Sequence, residues 1–125
     1  NTLLPDSKKA GILTISKSTL SDAHLRAANV PSDTPIGTTE DGAEFSRVIL
    51  NDELQLNIEL ARMDNINAAL KMKTNHPDLG AIILECTNMS PFAEAIQEAV
   101  ELPVFSIVNL VEWLHAGLKP KRFSS

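Results

Sequence analysis

The sequence predicts an α/β fold, a parallel sheet of about four strands with helices on both faces. Three observations carry that prediction. The apolar residues of Ala10-Gly11-Ile12-Leu13-Thr14-Ile15 and of Gly80-Ala81-Ile82-Ile83-Leu84-Glu85-Cys86 run together instead of alternating. Such runs mark strands buried on both faces, as parallel strands are. Between them lie segments whose apolar residues recur every three or four positions, the helical period. The two kinds of segment alternate along the whole chain, and that order builds parallel sheets through right-handed crossovers.

Taken in order, Ala10–Ile15 is the first strand, and Ser16-Lys17-Ser18-Thr19 a polar turn. A short helix fits Asp22 to Ala28, with Ser21 as N-cap and Leu25 and Ala28 facing inward. Pro31 sits in a loop, and Thr34 to Thr39 reads as a short strand weakened by Pro35 and Gly37. Gly42 to Leu50 is a helical segment with Phe45, Val48 and Ile49 on one side. A long helix follows from about Glu53 to Thr74, its apolar stripe drawn by Leu56, Leu60, Met63, Ile66 and Leu70, with Asp52 and Gln55 as a start signal. His76-Pro77-Asp78 ends it. After the Gly80–Cys86 strand, Ser90 as N-cap and Pro91 at the first helical position open a helix faced by Phe92, Ile96, Ala99 and Val100. Pro103 to Ile107 is the fourth strand, and a last helix, Val108 to Ala116, stops at Gly117 with Pro120 beyond it. Trp113 and Phe92 read as core residues. Lys119 to Ser125 is a basic, flexible tail.

A chain of 125 residues with 43% hydrophobic and 22% charged residues fits one globular domain and excludes collagen, coiled coil and disorder. A net charge of −5 without a basic patch argues against nucleic acid as a partner. No apolar run reaches the roughly 18 residues of a membrane helix, so no membrane partner is expected. One cysteine makes neither an internal disulfide nor a thiolate cluster, and a reducing, cytoplasmic setting is the expectation. His24, His76 and His115 show no ligand spacing, so neither metal nor cofactor is expected. The glycines of Gly37–Gly42 lack the Lys-Ser/Thr that a phosphate loop needs.

In open α/β sheets ligands bind beyond the carboxyl ends of the strands. Two such ends carry small polar residues, Thr14 to Thr19 and Glu85 to Ser90. Cys86 lies at the second, just before a helix start. Backbone N–H groups and the helix dipole favour negative charge there, which is expected to lower the pKa of the thiol and to hold a substrate carboxylate. Thr87 and Asn88 add a hydroxyl and an amide. The plainer alternative is packing, since cysteine is among the most buried residue types. For Glu85, solvation or a salt bridge is a plainer role than catalysis.

The stretch Gly80-Ala81-Ile82-Ile83-Leu84-Glu85-Cys86-Thr87-Asn88-Met89-Ser90-Pro91 resembles the second cysteine motif of the aspartate/glutamate/hydantoin racemase superfamily. Gly11-Ile12-Leu13-Thr14 and Leu102-Pro103-Val104-Phe105-Ser106-Ile107 resemble the flanking strands of that family's second domain. The resemblance implies a two-domain, cofactor-independent isomerase in which a cysteine from each domain flanks the carbon next to a carboxylate. It implies Cys86 as acid/base catalyst and Thr87 and Asn88 as substrate-binding residues, with Thr14, Ser16, Ser18 and Thr19 lining the cleft. It also implies a missing N-terminal domain and an isolated chain that is inactive because the first cysteine is absent; the inter-domain face so exposed is expected to favour association into homo-oligomers. Asn88 stands where many amino-acid racemases carry His. Two alternatives stay open: a one-cysteine decarboxylase or maleate-type isomerase, and a non-catalytic domain that binds a small carboxylate or mediates assembly.

Overall fold

The computed structural model describes residues 1–124. It has the expected α/β architecture. Four parallel strands, β1 (Lys9–Thr14), β2 (Ile36–Thr38), β3 (Leu79–Leu84) and β4 (Val104–Phe105), lie in the order β2-β1-β3-β4. The helices are α1 (Asp22–Ala27), α2 (Phe45–Leu50), α3 (Ile58–Asn75), α4 (Ala93–Val100) and α5 (Ile107–Gly117), and a 3₁₀ helix spans Thr87–Phe92. From β1 the chain goes outward to β2 through α1, then returns past β1 to β3 through α2 and α3. Right-handed crossovers place those two connections on opposite faces. The direction of winding therefore reverses between β1 and β3, and this switch point is where an open sheet forms its ligand crevice.

One face of the sheet is sealed. Leu13, Ile82 and Val104 pack there with Phe45, Met72, Phe92, Ile96 and Val100 in a continuous core. Phe45 and Phe92 meet edge to face, centroids 5.8 Å apart, a pairing of about 0.5–1.5 kcal/mol beyond area burial. The long helix corrects the sequence reading. α3 buries Ala61, Asn65, Ala68, Ala69 and Met72, whereas Leu60, Met63 and Leu70 of the expected stripe are exposed. Small side chains let α3 lie close to the strands. At Gly37 a side chain would collide with Met72, so β2 and α3 depend on glycine for their approach. The cap of α3 is Asn57, whose Oδ1 accepts the Leu60 N–H at 3.0 Å, in place of the expected Asp52 signal.

α2 has no side-chain cap of its own. Asp64 of α3 supplies one: its Oδ2 accepts the N–H groups of Glu44 at 2.8 Å and Phe45 at 2.9 Å. Glu44 in turn accepts the Asn57 N–H and the Arg47 guanidinium, both at 2.8 Å, and these bonds hold its carboxyl below the usual carboxylate range. α4 ends on Glu101, left-handed at φ 55°.

The other face is thinly covered. The register pairs Ile12 with Ile36 and Ile83, and Ile83 with Phe105. These four side chains form one apolar row across the sheet, and Ile83 and Phe105 remain 44% and 45% exposed. α1 has no buried residue, although Ser21 caps it as expected. α5 also buries none, and Trp113, expected in the core, is 73% exposed. Residues 119–124 of the basic tail are exposed, and Ser125 lies outside the described residues. No helix among the described residues is long and apolar enough to cross a membrane.

Candidate functional site

Every candidate residue lies at or just beyond the carboxyl ends of β1 and β3, at the switch point, Thr14 being the last residue of β1. The helix after β3 begins four residues earlier than the sequence suggested, at Thr87 instead of Pro91. Cys86 itself occupies the N-cap position, in extended backbone, and its carbonyl accepts the Met89 N–H at 3.0 Å. Ser90, the expected cap, falls inside the 3₁₀ turn with its Oγ buried and without a hydrogen-bond partner, and Pro91 lies within the same turn. A strand end that tightens straight into a 3₁₀ turn brings the cysteine to the helix mouth instead of leaving it in a loop.

Cys86 is half-buried, and Thr87 and Asn88 are exposed. Among the described residues none of these three side chains is engaged in an intramolecular hydrogen bond, which leaves a thiol, a hydroxyl and an amide available at one turn. The polar residues after β1 behave differently. Thr14 is buried, and its hydroxyl donates to Glu85 Oε2 at 2.9 Å, tying the ends of β1 and β3 together. Glu85 is thus held by a hydroxyl at the sheet edge. Ser16 and Ser18 donate to Glu40 Oε1 at 2.7 and 3.0 Å, and the Lys17 N–H and Thr38 hydroxyl reach Glu40 Oε2 at 2.9 and 3.2 Å. Thr19 bonds back to the Ser16 carbonyl at 3.3 Å.

Glu40 escaped the sequence reading. Its signal was its place just after the β2 segment, because parallel neighbours bring their carboxyl ends to the same edge. The Ser16 hydroxyl foremost, with Ser18, Lys17 and Thr38, stabilises its charged form and holds its carboxyl below the usual range. The expected cleft residues therefore fall into two groups. Cys86, Thr87 and Asn88 are free to meet a ligand, whereas Thr14, Ser16 and Ser18 are bonded to carboxylates of the chain itself.

Among the described residues no group of three or more His, Cys, Asp or Glu side chains is placed to hold a metal ion. Surface hollows lie between Thr38–Ala43 and α3, between α3 and α4, and beside Gln97–Pro103, and none of the three is lined by Cys86. Cys86 stands at an open edge rather than in an enclosed chamber.

No family model matches the chain, and no solved structure matches it. It is similar to segments of two curated enzymes. One is dimethylsulfoniopropionate lyase 5 of Emiliania huxleyi, 38% identical over 41 residues, which are 33% of this chain and 8% of that protein. The other is a dimethylsulfoniopropionate lyase of Durusdinium sp. clade D, 32% identical over 62 residues, half of this chain and 21% of that protein. The chain thus spans about a fifth or less of the relatives it matches.

These likenesses overturn the expectation of a racemase, because the matching proteins are named as lyases, and they lend no support to the decarboxylase and maleate-type isomerase alternatives. The physical reason is plain. A cysteine at the end of an apolar strand, followed by a turn of helix, is a local arrangement that does not specify which bond breaks. Asn88, in place of the histidine common in racemases, was the departure that put an amino-acid substrate in doubt.

Proposed function

We propose that this chain forms one α/β part of a lyase acting on a small carboxylate with a leaving group on its β carbon, dimethylsulfoniopropionate being the first candidate. The observation that carries the reading is the free Cys86-Thr87-Asn88 turn at the switch point, in a chain whose curated likenesses are to dimethylsulfoniopropionate lyases. Thr87, Asn88 and the N–H groups of the first turn hold the carboxylate. Cys86, as thiolate, takes the proton from the carbon next to it. That C–H electron pair becomes the carbon–carbon double bond. The bond from the β carbon to the sulfonium sulfur breaks, and the sulfur keeps its pair and leaves as neutral dimethyl sulfide. Acrylate remains, and Cys86 is left as the thiol. Thr14 acts through Glu85 and Ser16 and Ser18 through Glu40, with Thr19 bonded to the Ser16 carbonyl, fixing the edge on which the turn sits.

The test is headspace measurement of dimethyl sulfide released from dimethylsulfoniopropionate by the protein and by Cys86→Ser. Release that falls by about a hundredfold or more in Cys86→Ser supports the reading. Equal release by both proteins contradicts it. Binding of the substrate with no turnover, equal in both proteins, favours a carboxylate-binding module instead.

A further inference from the structure

Glu40 and Glu85 both stand at the switch point, but they differ in what they have left to offer a ligand. A carboxylate accepts about four hydrogen bonds. Glu40 already accepts four, two on each oxygen. Glu85 accepts one, from the Thr14 hydroxyl on Oε2 at 2.9 Å, and among the described residues its Oε1 has no partner. Thr14 is buried and Glu85 exposed, so the bond anchors the carboxylate from below and leaves its outer side open. Neither carboxylate meets a cation among the described residues: every donor is a hydroxyl or a backbone N–H. Asp41, two residues beyond the end of the same edge, is instead paired with Lys71 at 2.6 Å.

Given the lyase reading proposed above, on which this rests, we infer that Glu85 selects a substrate whose leaving group is positively charged, its free Oε1 receiving the cationic end. The backbone supports that placement. The Glu85 N–H still donates to the Leu13 carbonyl at 2.9 Å, so strand geometry continues through Glu85. Cys86 follows it, about 3.8 Å away at Cα, and strand alternation sends the two side chains to opposite sides of the edge. Cys86 accordingly packs partly against the core, while Glu85 is exposed. A ligand lying across the edge meets the thiol on one side and the carboxylate on the other. The order along the chain matches the order along such a substrate: Thr87 and Asn88 for its carboxylate, Cys86 for the carbon that loses the proton, Glu85 for the charged sulfur. The positive charge vanishes as the carbon–sulfur bond breaks and the sulfur keeps the pair. Glu85 therefore strengthens binding of the substrate and gains nothing in the transition state.

Calorimetric titration with dimethylsulfoniopropionate and with isocaproate, the same skeleton with an uncharged carbon in place of the sulfonium, tests this. The native protein should bind the sulfonium about tenfold more tightly than isocaproate. Glu85→Gln should lose that preference and bind isocaproate as before, with an unchanged circular dichroism spectrum because the side chain is exposed. Asp41→Asn, whose charge is already met by Lys71, should keep the preference. In headspace kinetics Glu85→Gln should raise KM with kcat undiminished. Equal affinity of the native protein for the two ligands, binding of neither, or a preference that survives Glu85→Gln overturns the inference. A preference lost equally in Asp41→Asn overturns it too, by assigning the effect to net charge, and so does a fall in kcat with KM unchanged. A native protein that prefers the sulfonium through Glu85 yet releases no dimethyl sulfide contradicts the lyase reading and supports the selectivity; release without preference does the reverse.

Discussion

Neighbouring residues of β3 show how differently the two faces of the sheet are used. Ile82 is fully buried between the strands and the α3–α4 layer, while Ile83, pointing the other way, is 44% exposed. The sequence runs apolar through both, as in a strand covered on two sides. The chain thus carries the hydrophobic pattern of a complete three-layer sandwich but fills one layer well and the other sparsely. The sealed face supplies stability. The open face leaves apolar side chains uncovered, and the edge between them carries the candidate chemistry.

The largest effect that could break this contrast comes from the β3 pair itself. Ile82→Ala should cost about 2–5 kcal/mol, the range for buried Ile→Ala. Ile83→Ala should cost well under half as much at concentrations where the chain is monomeric. Urea unfolding measures both, and equal losses would show that the second face is as well packed as the first. Next in size is Asp64→Ala, which removes the cap that α3 lends to α2 and should cost about 1–2 kcal/mol. A loss within about 0.5 kcal/mol, as for ordinary surface positions, would mean that α2 is not tied to the sealed layer through Asp64.

Glu101→Gly sharpens the comparison from the other direction. A residue other than glycine in the left-handed region costs about 1 kcal/mol, so glycine at the end of α4 should raise the unfolding midpoint. No rise would mean that the Glu101 side chain contributes as much as its backbone conformation costs.

The smallest expected effect is a pH dependence at the open edge. Four donors hold the Glu40 carboxyl below its ordinary value, so its stabilising contribution is complete above the unfolded value of about 4.3. It is lost as pH falls through the lower, folded value. Glu40→Gln should therefore be less stable than the native protein at neutral pH, with the gap closing below about pH 4. A gap that widens on acidification would place the charge of Glu40 on the destabilising side.

Much of this fold was legible because parallel strands and capped helices leave local marks. Ser21 caps α1, and the apolar runs at Ala10 and Gly80 became β1 and β3. What failed was facing. Leu60, Met63 and Leu70 drew a helical stripe, yet α3 turns Ala61, Ala68 and Ala69 to the sheet, because close approach past Gly37 favours small side chains over large ones. Trp113 failed for a related reason. Hydrophobicity predicts burial only when something is present to bury against, and α5 buries none of its residues among the described ones. At the site, Cys86 and its neighbours could be found from a strand end followed by a helix start. Glu40 was missed, because its place after β2 gains a role only once β1 and β2 pair in parallel and bring Thr38 and Ser16 to one edge. The reaction was illegible for another reason: a cysteine at a strand end before a helix start serves several chemistries.

The central claim is that Cys86 stands free at the switch point beside a carboxylate-binding turn. Alkylation by iodoacetamide, followed by mass spectrometry with and without dimethylsulfoniopropionate, tests it most directly, since Cys86 is the one cysteine of the chain. The account predicts that Cys86 is modified in the native protein and that dimethylsulfoniopropionate slows the reaction in a saturable way, with protection lost in Asn88→Ala. A cysteine that reacts only after unfolding, or at one rate whatever the substrate concentration, would contradict it.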